Sequence, residues 1–267
     1  MKKNFEAWLW SLGVLARSPA SILALGVLSA LWVLAADQWL GLQESSGLML
    51  LFSFLWALAQ ILIAVSVLAG SAASAAESAA FGGPPRIGLT FATFNRSLLA
   101  RTVLFALWAA LIVFIISQLF TWVSGQSLEV ASFLTFHSEK PTSHILIETI
   151  FWWIEFALWI VVCAFLLTFL IVLLRSGWTE ALRQSKRILR GSFGRASFFT
   201  VLAGGTVFGG LAYFLVQWHP HASSGFWDYA QAAARLGFGL LLLVAGWLFT
   251  LLALARQNPR QEGGTQP

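Results

Sequence analysis

The sequence predicts an all-α fold: a polytopic transmembrane helical bundle of six spans, with amphipathic helices lying at the interface. Three observations carry that reading. Of 267 residues, 58% belong to the AVILMFWYC set and only 10% are charged, against about 25% charged in ordinary soluble domains. The mean hydropathy is +0.80. The apolar residues also gather into six runs of the length, about 20 residues, at which a helix crosses the hydrocarbon core. A soluble chain of this size cannot hide so much apolar surface. A soluble enzyme, a disordered chain and a disulfide-built secreted domain are therefore excluded. The single cysteine, Cys163, lies in the run FALWIVVCAFLLTFL, where it reads as a small packing residue; no intrachain disulfide can form.

The elements follow in order. From Lys2 to Ala16, the residues Phe5, Trp8, Leu9, Leu12 and Ala16 share one helical face, as expected of an interfacial helix ahead of Ser18–Pro19. Glu6, Trp8 and Trp10 before Arg17 argue against a cleavable signal peptide. Spans are expected near 19–40, 48–70, 99–122, 145–174, 198–218 and 233–255, giving one bundle over 1–256. The small-residue run Ala69 to Ala80 should continue the second span as an alanine-rich helix. The fourth span is the longest and has to tilt, or project beyond the bilayer on one side. The fifth contains GGTVFGG, in which Gly205 and Gly209 form a GxxxG spacing expected to serve packing inside the bundle rather than dimerisation. The tail, 257–267, is polar, contains Pro and Gly, and should be disordered.

Orientation follows from the basic residues. Fourteen of the 16 lie in the N-terminal segment, the 71–98 and 175–197 loops, the tail and at Arg101, whereas Lys140 and Arg235 fall on the other side. Cytoplasmic loops collect Lys and Arg, so both termini are expected in the cytoplasm, with the 41–47, 123–143 and 219–231 loops outside. Tryptophans mark both boundaries: Trp39, Trp122, Trp218 and Trp227 at the outer one, Trp8, Trp10 and Trp178 at the inner one. Trp56, Trp108, Trp159 and Trp247 lie deeper and read as bundle packing, with contact to a pigment, quinone or lipid as the alternative.

The clearest motif is Trp178 to Arg195, WTEALRQSKRILRGSFGR. On a helix, Arg183, Lys186, Arg187 and Arg190 form one basic stripe, while Trp178, Ala181, Leu182, Ser185, Ile188 and Leu189 line the opposite face; Gly191 offers a stop. Such a helix lies in the interface with its basic face toward anionic head groups, each charge contributing about 1 kcal/mol near an anionic leaflet. The plainest role is a topology anchor. Recognition of a lipid head group or phosphate, and docking of an acidic protein, are the alternatives. The pI near 10.0 is thus a membrane-facing band, and no nucleic acid is needed to explain it. A second echo joins GLTFATFNRSLLAR (88–101) to GWTEALRQSKRILR (177–190): Gly, Thr, Ala and the final Arg coincide at a constant offset. Spans 2–3 and 4–5 are candidates for a parallel repeat.

The string TEALRQSKRILRGSFGRASFF, flanked by spans, resembles the six-helix membrane domain of bacterial glycerophosphodiester phosphodiesterases and related stand-alone integral membrane proteins. The matching pattern falls on Glu180, Ala181, Leu182, Ser185, Ile188, Leu189, Arg190, Gly191 and Phe193. The resemblance implies a bacterial cytoplasmic (inner) membrane location. It does not bring the phosphodiesterase activity, which belongs to a separate soluble barrel with a His-Arg pair; this sequence has neither.

Polar residues inside spans are expensive and therefore informative. Glu148 and Glu155 lie seven residues apart in span 4, with His144 one turn before Glu148. One reading is a proton or cation relay descending from the outer surface. The other is a carboxyl group fastening helices, with Gln60, Gln118 or a Thr as partner. His137, His144, His219 and His221 all fall on the outer side, near Glu139 and Asp228, but at no spacing that marks a metal site. The motifs GxxxxGK[ST], GxSxG, HExxH and CxxC are absent. No catalytic residue, metal or cofactor is expected. Two functions remain: a scaffold or accessory subunit that binds anionic lipid and a membrane partner complex, or a small transporter or lipid-handling protein using Glu155 and the basic loop.

Overall fold

The computed structural model describes residues 2–41, 46–85, 96–138, 143–218 and 225–258. In chain order the helices are α1 (Lys2–Ala16), α2 (Pro19–Leu40), α3 (Gly47–Phe81), α4 (Arg96–Gly125), α5 (Ser127–Ser138), α6 (His144–Ser176), α7 (Trp178–Arg183), α8 (Ser185–Ser192), α9 (Arg195–Gln217) and α10 (Gly225–Gln257). No strand occurs among the described residues. Six helices, α2, α3, α4, α6, α9 and α10, are long and apolar enough to cross a membrane. The chain is an all-α, polytopic membrane protein, and each expected span coincides with one of them.

Local chemistry sets the helix ends. Pro19 occupies the first turn of α2, where its missing N–H needs no partner. Ser46 caps α3, its Oγ accepting from the Met49 N–H at 3.3 Å. At the other end Gly82, with φ +75°, forms a left-handed cap whose N–H donates to the Ser78 carbonyl at 2.8 Å. Gly177, with φ +83°, makes the turn from α6 into α7.

Helices α3, α6 and α10 run in the same direction and form the centre. Their C-terminal halves hold the core: Ala72 and Ala75 of α3, Phe169, Leu170 and Leu173 of α6, and Leu248, Leu251 and Leu252 of α10 are all fully buried. Alanine on α3 lets the other two helices approach closely, and summed dispersion contacts replace the hydrophobic effect that lipid cannot supply. Helix α2 packs on α3 and α10, α4 on α3 and α6, and α9 on α10. Trp108 seals the α4–α6 contact, its ring centroid 4.8 Å from that of Phe169. Helix α1 lies along α10 and buries Ala7, Ser11, Val14 and Leu15, leaving Phe5, Leu9 and Leu12 exposed. These packed ends carry most of the lysines and arginines and are called the basic end below.

The structure departs from the sequence reading at several points. The 123–143 segment, expected as an outer loop, contains α5. The basic helix expected over 178–195 is two helices, interrupted at Gln184 and ending at Ser192. Gly205 and Gly209 do not pack inside the bundle: a Cβ at either would meet nothing within 4 Å. The close approach is made by their neighbours instead. A Cβ on Gly204 would collide with Thr250 Oγ1 of α10, and one on Gly246 would stand 2.6 Å from Phe208 Cβ. A π-helical turn, Ala203–Phe208, spans this contact and rotates Gly204 rather than Gly205 toward α10. Cys163 lies on an exposed face of α6 rather than in the packing. The echo over 88–101 and the tail fall largely outside the described residues.

Candidate functional site

The basic stripe sits on α7 and α8, which leave the end of α6 through the Gly177 turn. Ala181, Ile188 and Ser192 are buried against the bundle, and the Trp178 ring packs 5.9 Å from that of Phe169. Arg183, Lys186, Arg187 and Arg190 are all exposed. Leu182 and Leu189, expected on the apolar face opposite the basic stripe, are 54% and 45% exposed, and Phe193 beside them is 62% exposed. The helix pair docks through the narrow strip of Ala181, Ile188 and Ser192, which leaves a second apolar strip uncovered. At 3.6 residues per turn the order around the axis is buried strip, exposed apolar strip, basic stripe. This is the layout of a helix that beds apolar side chains among acyl chains and presents charge to head groups.

Two arginines that the sequence marked only as topology charges form the joints of this end. Arg175 Nη1 donates to the Asn258 carbonyl at 2.9 Å and Nη2 to the Ala76 carbonyl at 3.0 Å. Arg256 Nη1 donates to the Ala79 carbonyl at 3.1 Å, and its guanidinium lies 5.3 Å from the centre of the Trp10 ring. The C-terminal ends of α3, α6 and α10 meet here, so three negative dipole ends converge, and the two guanidinium groups lie among them and donate to main-chain carbonyls of α3 and of the end of α10. A cavity of about 760 Å³ opens beside them, lined by Glu77, Arg175, Arg256 and the alanines of α3. Thr200 ties in two more elements, its Oγ1 accepting from Trp8 Nε1 and from Gln257 Nε2, each at 2.8 Å.

Helix lengths supply a ruler. Helix α2 has 22 residues, about 33 Å at 1.5 Å per residue, close to the hydrocarbon thickness of about 30 Å. It starts beside Arg17 and ends at Asp37 and Trp39. Trp39 Nε1 donates to Ser53 Oγ at 2.9 Å, which carries that level across to α3. On α4, Arg101 and Trp122 have the same spacing, and Phe120 packs against Trp159 of α6 with ring centroids 6.4 Å apart. Trp122 and Glu155 therefore share a level. Glu155 is 20 residues from Arg175, again about 30 Å.

A hydrocarbon layer of about 30 Å measured from Arg175 would thus end near Glu155, with Glu148 two turns further along α6. Trp159 Nε1 donates to Glu155 Oε1 at 3.2 Å. Gln60, one of the candidate partners, is engaged elsewhere, donating to the Ala35 carbonyl at 2.9 Å. Glu148 and His144 are exposed. His137 hydrogen-bonds the Phe133 carbonyl at 3.0 Å. His219, His221 and Glu139 lie outside the described residues, and among the described residues no three His, Cys, Asp or Glu side chains gather.

The deeper tryptophans are held within the bundle. Trp247 Nε1 donates to Ser71 Oγ at 3.0 Å, and Trp56 Nε1 to the Ala35 carbonyl at 3.1 Å. Trp32 and Trp247 also border an apolar groove of about 390 Å³ between α2, α3 and α10, floored by Leu25 and Val244. No family model, curated protein or solved structure matches the chain.

Proposed function

We propose that this protein is a non-enzymatic scaffold or accessory subunit of a bacterial cytoplasmic membrane, with its basic end and both termini in the cytoplasm. There α7 and α8 hold anionic lipid head groups with Arg183, Lys186, Arg187 and Arg190. The carrying observation is the exposed apolar strip of Leu182, Leu189 and Phe193 beside that exposed basic stripe. A topology anchor needs only the charge. A helix that also uncovers apolar side chains alongside the charge is fitted to a lipid surface. The core at this end, stapled by Arg175 and Arg256, makes a rigid base for the lipid site and for a bound membrane complex.

The reading is consistent with the resemblance to the membrane domain of glycerophosphodiester phosphodiesterases, whose matching residues lie on α7 and α8 and at Phe193 just past them. A second reading, lipid handling or transport, draws on the groove of about 390 Å³ between α2, α3 and α10, whose apolar lining suits an acyl chain. Native mass spectrometry after mild solubilisation from the source membrane separates the two. A stoichiometric partner protein together with anionic lipid is expected for the accessory subunit. A lone chain that retains one lipid or small molecule favours lipid handling.

A further inference from the structure

The cavity of about 760 Å³ at the basic end has the size of a small-molecule site, about 300–1,000 Å³. It is distinct from the basic stripe, since none of Arg183, Lys186, Arg187 and Arg190 lines it. The small-residue face of α3 creates it. Ala73, Ala76 and Ala80 share one side of that helix with Glu77, and their single methyl groups leave space that a longer side chain would fill. Both guanidinium groups are anchored on the same turn. Arg175 donates to the Ala76 carbonyl, one residue before Glu77, and Arg256 to the Ala79 carbonyl, two residues after it. Arg256 is exposed, and its bond to Ala79 uses Nη1 alone. Glu77 is exposed as well and has no hydrogen bond or ion pair among the described residues. A carboxylate and a guanidinium thus line one cavity without being paired to each other.

We propose that this cavity binds a zwitterion carrying a primary ammonium and a phosphate, the head-group chemistry of an aminophospholipid. This is a second site, independent of the anionic-lipid reading of α7 and α8. Charge selects the ligand. A simple anion would meet Glu77 and the negative dipole ends of α3, α6 and α10. A simple amine would meet Arg175 and Arg256. A zwitterion avoids both conflicts: its ammonium donates to the Glu77 carboxylate, and its phosphate accepts from Nε and Nη2 of Arg256. A quaternary amine has no N–H to give Glu77, so a primary amine is preferred. Leu174 and Phe81, the latter 81% exposed, border the cavity and offer the apolar part of a lipid a surface to lie against.

The test places the full-length protein in nanodiscs of phosphatidylethanolamine, phosphatidylcholine and phosphatidylglycerol in equal parts, and counts the lipid retained on release by native mass spectrometry. Phosphatidylethanolamine should be retained about tenfold better than phosphatidylcholine. Glu77→Gln should lower its retention about tenfold, and Glu77→Asp should restore part of it. Phosphatidylglycerol, held by the basic stripe, should stay unchanged in both variants. Ala80→Leu, which fills the cavity from its exposed side, should also lower phosphatidylethanolamine retention, and thermal melts show that the variants keep the fold. Phosphoethanolamine added in detergent separates the two sources of this chemistry. A rise in melting temperature that Glu77→Gln removes makes a soluble zwitterion the ligand; no rise, with the lipid retained, makes it the membrane head group. Equal retention of phosphatidylethanolamine and phosphatidylcholine, with no response to phosphoethanolamine, overturns the proposal. Preferential retention that Glu77→Gln leaves intact overturns it too. So does a parallel fall of phosphatidylethanolamine and phosphatidylglycerol in that variant, because the cavity is then no separate site.

Discussion

Arg175 of α6 donates to the main-chain carbonyl of Ala76 in α3 at 3.0 Å, and the same guanidinium reaches the Asn258 carbonyl just past α10. One side chain thus joins the three central helices where their C-terminal ends converge. Charge-assisted hydrogen bonds of this kind contribute about 1.5–3 kcal/mol, reduced here by partial exposure. Arg175→Ala should destabilise the bundle by about 2 kcal/mol, read as a fall of several degrees in the melting temperature in detergent. Arg175→Lys should recover only part of it, because an ammonium cannot fork between two helices.

The Gly204–Gly246 contact separates two neighbouring glycine sets. Gly204→Ala drives a methyl group into Thr250 Oγ1 and should cost about 1–3 kcal/mol by overpacking. Gly205→Ala and Gly209→Ala meet open space and should shift stability by less than about 1 kcal/mol, the range of helix propensity. Thermal melts of the three variants check the order.

The lipid site predicts a charge-dependent affinity. Arg187→Glu with Arg190→Glu removes two favourable charges and adds two unfavourable ones, each contributing about 1 kcal/mol. Retention of anionic phospholipid should fall at least tenfold in nanodisc exchange and become less salt-sensitive than in the wild type. Leu189→Ser should weaken retention with the salt dependence kept, since it alters only the apolar strip.

Placement of Glu155 at the boundary predicts its accessibility. In a chain carrying Glu155→Cys, an impermeant maleimide should label position 155 but spare Cys163, which lies eight residues further along the span, about 12 Å deeper. Glu155→Gln keeps an acceptor for Trp159 and should leave the melting temperature within about 2 °C, the equivalent of less than 1 kcal/mol. Loss of a transport activity in that variant, with the fold intact, supports the relay reading instead.

What the sequence revealed divides along physical lines. Hydropathy located all six spans because bilayer thickness imposes a length on each, and the basic stripe on α7 and α8 was visible because charge contrasts with everything around it. Helix phase was not visible in the spans. In α6 nearly every residue from Phe151 to Leu174 is apolar, and lipid tails are as apolar as Leu. Nothing in the pattern could therefore tell lipid-facing Cys163 from buried Ala164. The same blindness could not say whether Leu182 and Leu189 face acyl chains or the bundle, and chose Gly205 over Gly204. Arg175 and Arg256 looked like any basic residue at the end of a span. Their role depends on three helix ends meeting, which is a property of the tertiary fold alone. Helix α5 escaped notice because twelve residues bounded by Gln126 and Ser138 are too short to register as a span.

The most direct test of the lipid-holding subunit is lipid analysis by native mass spectrometry on two proteins released under identical mild conditions. One is the wild type; the other has Arg183, Lys186, Arg187 and Arg190 all replaced by Gln. The account predicts anionic phospholipid bound to the wild type, and its loss from the fourfold variant with the melting temperature preserved. Equal anionic lipid on both proteins would contradict it, and would return the stripe to a topology signal without a ligand.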